Sequence, residues 1–131
     1  MSVSHQIIVS QKYDYPNMLR CVQTIRDHFS KQDNIVIKEI TLSKSLDCFN
    51  IYFTYDSEQR RLFICELMDM YYDMEYNPIP KNGMYFSINV WGGSQKIMDL
   101  VKEAVYTVIT SSDTVYERPN DAYESRFTLV K

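Results

Sequence analysis

The stretch that decides the fold is RRLFICELMDMYYDMEY, from Arg60 to Tyr76. Ile64 is its one β-branched residue, and such a composition favours a helix over a strand. Asp56 and Gln59, just upstream, have the spacing of a helix-capping pair. The sequence therefore predicts a helix through this stretch, and the topology of the whole chain depends on it.

The predicted helix gathers its acidic side chains on one side. At about 100° per residue, Glu66, Asp69 and Asp73 fall within roughly 60° of one another. The apolar and aromatic side chains spread over more than half of the circumference, and Glu75 and Tyr76 extend the acidic side at the helix end. We therefore expect a narrow acidic stripe on an otherwise apolar helix.

Towards the N-terminus the pattern predicts a strand and then a helix. The segment Val3–Val9 is short and β-branched, which is typical of a strand. Asp14 then precedes an early proline, Pro16, as an N-cap precedes a first helical turn. Apolar residues recur after it at helical spacing, so we expect this helix to end near residues 31–34.

Two strands are predicted between that helix and the deciding stretch. NIVIKEITL, residues 34–42, alternates apolar and polar residues, and CFNIYFTY, residues 48–55, is aromatic and β-branched. The alternation shifts between Ile37 and Ile40, which indicates a β-bulge.

A turn, a strand, a helix and a final extended pair are predicted downstream. Proline and glycine mark a turn at residues 77–83, and MYFSINVW, residues 84–91, alternates as a strand. Ser94 is the expected N-cap of a helix whose apolar residues recur from Ile97 to Ile109. The C-terminal hairpin is predicted as strand Thr114–Glu117, turn Pro119–Asp121 and strand Arg126–Val130.

The element order predicts an α+β fold. The order β-α-β-β-α-β through Trp91 is that of a ferredoxin-like sandwich, here with an added C-terminal helix and a strand or hairpin. The helices should pack on one face of a mostly antiparallel sheet. Because 45% of the 131 residues are hydrophobic, we expect residues 1–131 to form one compact domain.

Charge and cysteine usage narrow the function classes. The net charge of −3 does not suit a protein that must neutralise many phosphates, so nucleic-acid binding is not expected. No lysine or arginine lies between Arg61 and Lys81, which concentrates negative potential there.

The N-terminus lacks a basic leader, and no segment approaches the roughly 20 apolar residues that cross a bilayer. Three widely spaced cysteines argue against a disulfide framework or zinc site, so we expect a cytoplasmic protein without a membrane partner.

Residues with catalytic chemistry are few. His5 and His28 are the only histidines, and neither sits in a nucleophile pattern, so we expect structural roles for both. Cys48 has no histidine nearby in the sequence, and we expect all three cysteines to act as buried small hydrophobic residues. The three glycines form no phosphate-binding loop. We therefore expect no enzymatic activity, no cofactor and no metal.

The acidic stripe is the candidate functional feature. Its spacing permits a cation site, but it is equally that of a solvated helix face. Tyrosines beside carboxylates also form an amphipathic contact area of the kind enriched at protein interfaces. The predicted partner-binding residues are Glu66, Asp69, Tyr72, Asp73, Glu75 and Tyr76.

We predict a small cytoplasmic, non-enzymatic protein-binding module. Carboxylates placed over a cationic cleft mimic phosphates and speed encounter, so its concrete form is an immunity protein or inhibitor that neutralises a basic toxin or nuclease. The long apolar arc of the predicted helix also leaves room for a homodimer.

Two alternatives belong to other classes. A small metal- or carboxylate-dependent hydrolase needs a stripe carboxylate to face a pocket. A ligand- or RNA-binding regulatory module needs an uncovered sheet face, with either Phe49, Ile51 and Phe53 or Tyr52 and its alternate set exposed. The sequence FNIYFTY lacks the RNA-binding signature of such sheets. The aromatic residues considered for base stacking are Tyr13, Tyr15, Phe49, Tyr52, Phe53 and Tyr55.

Overall fold

The computed structural model describes residues 2–45, 47–91, 95–119 and 126–131. Within these ranges the chain forms eight strands and two helices. Their bounds are β1 Ser2–Val9, α1 Tyr15–Ser30, β2 Ile35–Leu42, β3 Cys48–Tyr55, β4 Glu58–Glu66, β5 Tyr72–Asp73, β6 Met84–Trp91, α2 Gln95–Tyr106, β7 Val115–Pro119 and β8 Arg126–Leu129. Neither helix is long and apolar enough to span a membrane, as far as the described ranges extend.

The strands join in one sheet with the order β2-β3-β4-β6-β1-β7-β8-β5. Its neighbouring strands run antiparallel except β5 and β8, which are parallel. Both helices pack on the same side, which we call the helix face. Alternate strand residues such as Ile51, Leu62 and Phe86 are fully buried there beneath helix residues such as Ile25 and Val101. Burying apolar surface between these two layers supplies the main stabilisation of the fold.

The elements predicted up to Tyr55 are confirmed. The Asp14 carboxylate accepts a hydrogen bond from the Asn17 N–H at 2.8 Å, and Pro16 lies in the first turn of α1. The helix ends at Ser30, next to the predicted 31–34 boundary. Strands β2 and β3 pair as expected, and their register shifts between Ile37 and Glu39, where the sequence indicated a bulge.

The predicted helix through residues 60–76 is wrong. Residues Glu58–Glu66 form strand β4, between β3 and β6 in the sheet. The predicted capping pair is not formed, because Gln59 lies in β4. Asp56 and Ser57 instead form a two-residue turn with φ of 50° and 68°, which joins β3 to β4 as a hairpin. Two flanking strands offer this segment backbone partners on both sides, and that pairing outweighs its weak helix propensity.

The correction changes the topology within the α+β class. The class itself is confirmed, since two helices pack on a mostly antiparallel sheet. The ferredoxin-like order is not found, because the segment between β3 and β6 contributes strands instead of a helix and the strand order differs. A homodimer interface on an apolar helix arc loses its basis, because there is no such helix.

The second half keeps the other predicted elements. Strand β6 lies where the sequence places it, and helix α2 ends at Tyr106, before the last apolar residue of the predicted pattern, Ile109. The proposed N-cap, Ser94, falls outside the described residues. Strands β7 and β8 pair antiparallel as the predicted C-terminal hairpin. Pro119 belongs to β7, and the remainder of the predicted turn also lies outside the described ranges.

Candidate functional site

The segment between β4 and β6 lies on the sheet face opposite the helices. We call residues 67–80 the acidic loop. Leu67 and Ile79, near its two ends, are buried in a small second core with Ile8 and Phe127. These contacts fix both ends of the loop on the sheet, so the predicted acidic surface is carried by a loop on one face of the sheet rather than by a helix.

Aromatic side chains pin the middle of the acidic loop. The Tyr71 ring stacks on Tyr85 of β6, with centroids 5.9 Å apart and planes 5° from parallel. Its edge meets the Phe127 ring at 5.0 Å, and the Arg118 guanidinium lies 5.2 Å from the Tyr71 centroid. Such ring pairs and cation contacts each add about 1 kcal/mol beyond area burial.

The tip of the acidic loop is a turn built on Asp73. The Asp73 carboxylate accepts hydrogen bonds from the backbone N–H groups of Glu75 at 2.8 Å and Asn77 at 2.9 Å. These donors, Asn77 first, lower the pKa of Asp73. Tyr76 has a φ of 64°, the left-handed conformation that closes the turn. The sequence offered Asp73 as a stripe carboxylate, whereas in the fold it holds the turn together.

Exposed apolar side chains are concentrated on the acidic loop. Met68, Met70, Met74 and Tyr76 are 64, 48, 51 and 68% exposed. They make up four of the nine exposed large hydrophobic residues among those described. Arg126 lies over the Tyr76 ring at 4.7 Å. A cluster of this kind, interleaved with carboxylates, differs from the scattered single hydrophobic residues of an ordinary surface.

The six predicted contact residues do not share one helical face. Glu66 is the last residue of β4, and its N–H donates to the Asp47 carbonyl at 3.3 Å. Asp69, Glu75 and Tyr76 are exposed on the acidic loop. Tyr72 and Asp73 form the short strand β5 and are half-buried. The fold thus brings four of the six residues together at the loop tip and leaves Glu66 at a strand end. These four are Tyr72, Asp73, Glu75 and Tyr76.

A partly buried ionic network on the helix face escaped sequence reasoning. The His5 Nε2 lies 2.5 Å from the Glu117 carboxylate, which also contacts Lys102 Nζ at 2.9 Å and accepts a hydrogen bond from the Tyr106 hydroxyl. Burial alone raises the pKa of Glu117, but the hydrogen bonds from His5, Tyr106 and Lys102 outweigh it and lower the pKa to about 2. The network ties β1, β7 and α2 together. Its partners lie far apart in the chain, so no local pattern could have revealed them.

The other candidate chemical groups are dispersed. His28 of α1 sits 3.7 Å from the Glu103 carboxylate of α2, a bridge between the helices. The structure forms no group of three or more histidine, cysteine or acidic residues able to hold a metal, within the ranges it describes. Cys21 is buried as predicted, whereas Cys48 and Cys65 are only half-buried, so the prediction that all three cysteines are buried is wrong for that pair.

The remaining part of the non-helix face is the second candidate surface. Phe49, Ile51 and Phe53 are buried on the helix face, whereas Tyr52 points the other way and is 36% exposed. Tyr52 borders a cleft of about 310 Å³ at the β2 bulge. The Arg61 guanidinium lies 5.9 Å from the Phe63 centroid on the same face. Of the two aromatic sets considered from the sequence, the fold exposes the one that contains Tyr52.

Comparison of the chain with models of protein families, with curated proteins and with solved structures gives no significant match. Function is therefore inferred from the contacts, exposure and charge of the chain itself.

Proposed function

We propose that this chain is a non-enzymatic protein-binding module and that the acidic loop is its contact surface. The observation that carries the proposal is the concentration of exposed methionine and tyrosine side chains on a loop whose backbone is anchored at both ends. Covering such side chains with a partner removes apolar area from water, at about 25 cal/mol per Å². Methionine suits this role, since its flexible thioether adapts to the partner's shape.

Anchoring favours binding because it lowers the entropy that a partner must overcome. Leu67 and Ile79 hold the loop ends, Tyr71 stacks on Tyr85, and the Asp73 turn fixes the tip. A loop ordered in advance loses less freedom on association than a mobile one. The exposed methionines then keep rotamer freedom on a fixed backbone.

The charge of the acidic loop favours a basic partner. Asp69, Asp73 and Glu75 lie on the loop, and no lysine or arginine lies between Arg61 and Lys81. Two nearby cations, Arg118 and Arg126, lie over the rings of Tyr71 and Tyr76. Negative potential accelerates encounter with a cationic surface and rejects acidic competitors. A cytoplasmic immunity protein or inhibitor that neutralises a basic toxin or nuclease is the concrete form of this proposal.

The test combines capture with matched variants. The tagged chain is incubated in its native lysate at about 50 mM and about 500 mM salt, and co-eluting proteins are identified by mass spectrometry. We expect a stoichiometric basic protein at low salt that is depleted at high salt. Calorimetry with that purified partner then compares the wild type with Met68→Ser/Met70→Ser and with Asp69→Asn/Glu75→Gln.

We expect the methionine variant to weaken binding at least about tenfold and the charge variant to reduce its salt dependence. The control is Asp27→Asn/Asp33→Asn, which removes two exposed charges near α1 and should leave the affinity unchanged. Asp73 is left intact because its carboxylate holds the turn. Equal affinity of wild type and both loop variants would contradict the proposal.

A second candidate function uses the Tyr52 side of the sheet. An exposed tyrosine beside a cleft, with Arg61 and Phe63 on the same face, is an arrangement that stacks a planar ligand or an unpaired base. The measurement is fluorescence anisotropy of a labelled single-stranded RNA with wild type, Tyr52→Ala and, as control, Tyr76→Ala. Binding lost in the Tyr52 variant alone would favour this candidate over the acidic loop.

A further inference from the structure

Two of the three cysteines face each other across the sheet. Cys48 of β3 and Cys65 of β4 are register partners in the antiparallel ladder. Their neighbours Phe49 and Ile64 point to the helix face, so both thiols project from the opposite face, where both residues are half-buried. No sequence spacing signals this pair, because the β3–β4 hairpin was predicted as a strand and a helix.

The backbone hydrogen bonds give the separation of the pair. The Cys48 carbonyl accepts from the Ser43 N–H at 2.9 Å and so points towards β2. The hydrogen bond between β3 and β4 is made by the adjacent residue pair, from the Glu66 N–H to the Asp47 carbonyl at 3.3 Å. Cys48 and Cys65 therefore form a non-hydrogen-bonded pair, whose Cα atoms lie about 4.5 Å apart. This separation is within the range that a disulfide spans, about 4.4–6.8 Å.

We propose that Cys48 and Cys65 form a dithiol site that a disulfide oxidant, such as glutathione disulfide, converts reversibly to an intramolecular disulfide. The Cys48 thiolate attacks one sulfur of glutathione disulfide and expels a glutathione thiolate. The Cys65 thiolate attacks the Cys48 sulfur of this mixed disulfide and expels the second glutathione thiolate. Two electrons pass from the cysteine pair to glutathione disulfide, and the two cysteine protons end on the two glutathione thiols.

The environment of the thiols makes the exchange slow at neutral pH. Burial raises the pKa of Cys65 to about 12, and the adjacent Cys48 adds to this shift. Burial, followed by the Asp47 carboxylate, also raises the pKa of Cys48. The reactive thiolates are therefore scarce at neutral pH and become more abundant as the pH rises. The pair stays reduced in a reducing compartment and oxidises when disulfide oxidant accumulates.

The dithiol site lies next to the acidic loop but does not depend on its proposed function. Cys65 is two residues before Leu67, the buried residue that anchors the loop start. A bond between Cys48 and Cys65 clamps β3 to β4 at the point where the loop leaves the sheet. Oxidation is measured on the chain alone, so a loop without any partner would leave this inference intact.

The experiment is differential alkylation of the wild-type protein. The native chain is incubated at about pH 8 with excess glutathione disulfide, quenched in acid, unfolded, alkylated with iodoacetamide and digested for mass spectrometry. We expect the reduced protein to carry three alkylated cysteines, in accordance with its three free thiols, and the oxidised protein to carry one, at Cys21. A peptide pair joined through Cys48 and Cys65 should replace the other two, and reduced glutathione should restore all three.

Single variants test the order of the exchange. Cys48→Ser and Cys65→Ser each lack the resolving partner, so exposure to glutathione disulfide should stop at a mixed disulfide or give no reaction. Cys21→Ser, the matched control, should form the internal bond like the wild type. Glutathione adducts on both cysteines of the wild type, disulfide-linked dimers, or a bond that includes Cys21 would overturn the proposal.

Discussion

The two faces of the sheet are built in different ways. On the helix face a continuous apolar layer joins six strands to both helices, with rings such as Phe29 and Phe53 packed at 4.8 Å. On the other face a four-residue cluster, with three tyrosines against it, holds one loop in place. The first arrangement stabilises the whole fold, whereas the second positions a surface while leaving its methionines in solvent. Stability and candidate function are thus placed on opposite faces.

The largest expected effect comes from comparing one phenylalanine on each face. Phe86 and Phe127 are both fully buried, the first in the main core and the second under the acidic loop. Phe86→Ala should lower the free energy of unfolding by about 5 kcal/mol and Phe127→Ala by about 3 kcal/mol, because a loop collapses into a cavity more readily than a packed sheet. Urea unfolding measures both losses.

Hydrogen exchange identifies the amides that lose protection in each of the two phenylalanine variants. Phe127→Ala should deprotect amides of the acidic loop while those of β3 and β4 stay protected. Phe86→Ala should accelerate exchange throughout the sheet. Equal losses of stability with the same exchange pattern would mean that the two faces are one cooperative unit, and the comparison would fail.

A smaller effect is the pH dependence of stability that Glu117 confers on the helix face. The folded-state pKa of Glu117 is about 2, whereas an unperturbed glutamate has a pKa of 4.5, so its contribution to stability is fully present above about pH 4.5 and is lost as the pH falls towards 2. Between pH 7 and pH 3 the free energy of unfolding should fall by about 2 kcal/mol from this group. Urea unfolding at pH 7 and pH 3 should therefore show a stronger pH dependence for wild type than for Glu117→Gln. An equal pH dependence of unfolding in both proteins would show that the Glu117 network does not stabilise the fold.

The smallest effects are expected at the tip of the acidic loop. Asp73→Ala removes the acceptor for the Glu75 and Asn77 N–H groups and should accelerate exchange of those two amides. Asp73→Asn keeps an acceptor oxygen and should largely preserve their protection. Asp69→Asn should change the free energy of unfolding by less than about 0.5 kcal/mol, since Asp69 is exposed. Fast exchange in the Asp73→Asn variant would show that charge, rather than the acceptor, holds the turn.

Sequence reasoning identified the region of the candidate site but misjudged its architecture. The absence of lysine and arginine between Arg61 and Lys81 and the density of carboxylates and tyrosines are local properties, so they could be read directly. Asp69 is exposed to solvent, whereas Asp73 holds a turn, and this difference depends on the backbone conformation at the loop tip. The position of that turn on the sheet is set by contacts of Leu67 and Ile79, at the loop ends, with residues distant in the chain.

The sequence by itself determined strands β1, β2, β3 and β6, both helices and the C-terminal strand pair, because hydrophobic periodicity and capping residues act within a few positions. Only the tertiary structure decided that Glu58–Glu66 is a strand. Helix propensities differ by fractions of a kcal/mol per residue, whereas a segment between two strands gains ladder hydrogen bonds and buries Leu62 and Ile64. The acidic loop and the Cys48–Cys65 pair follow from that long-range pairing. The Glu117 network follows from the pairing of β1 with β7 and from the packing of α2 against them, and no local pattern encodes either.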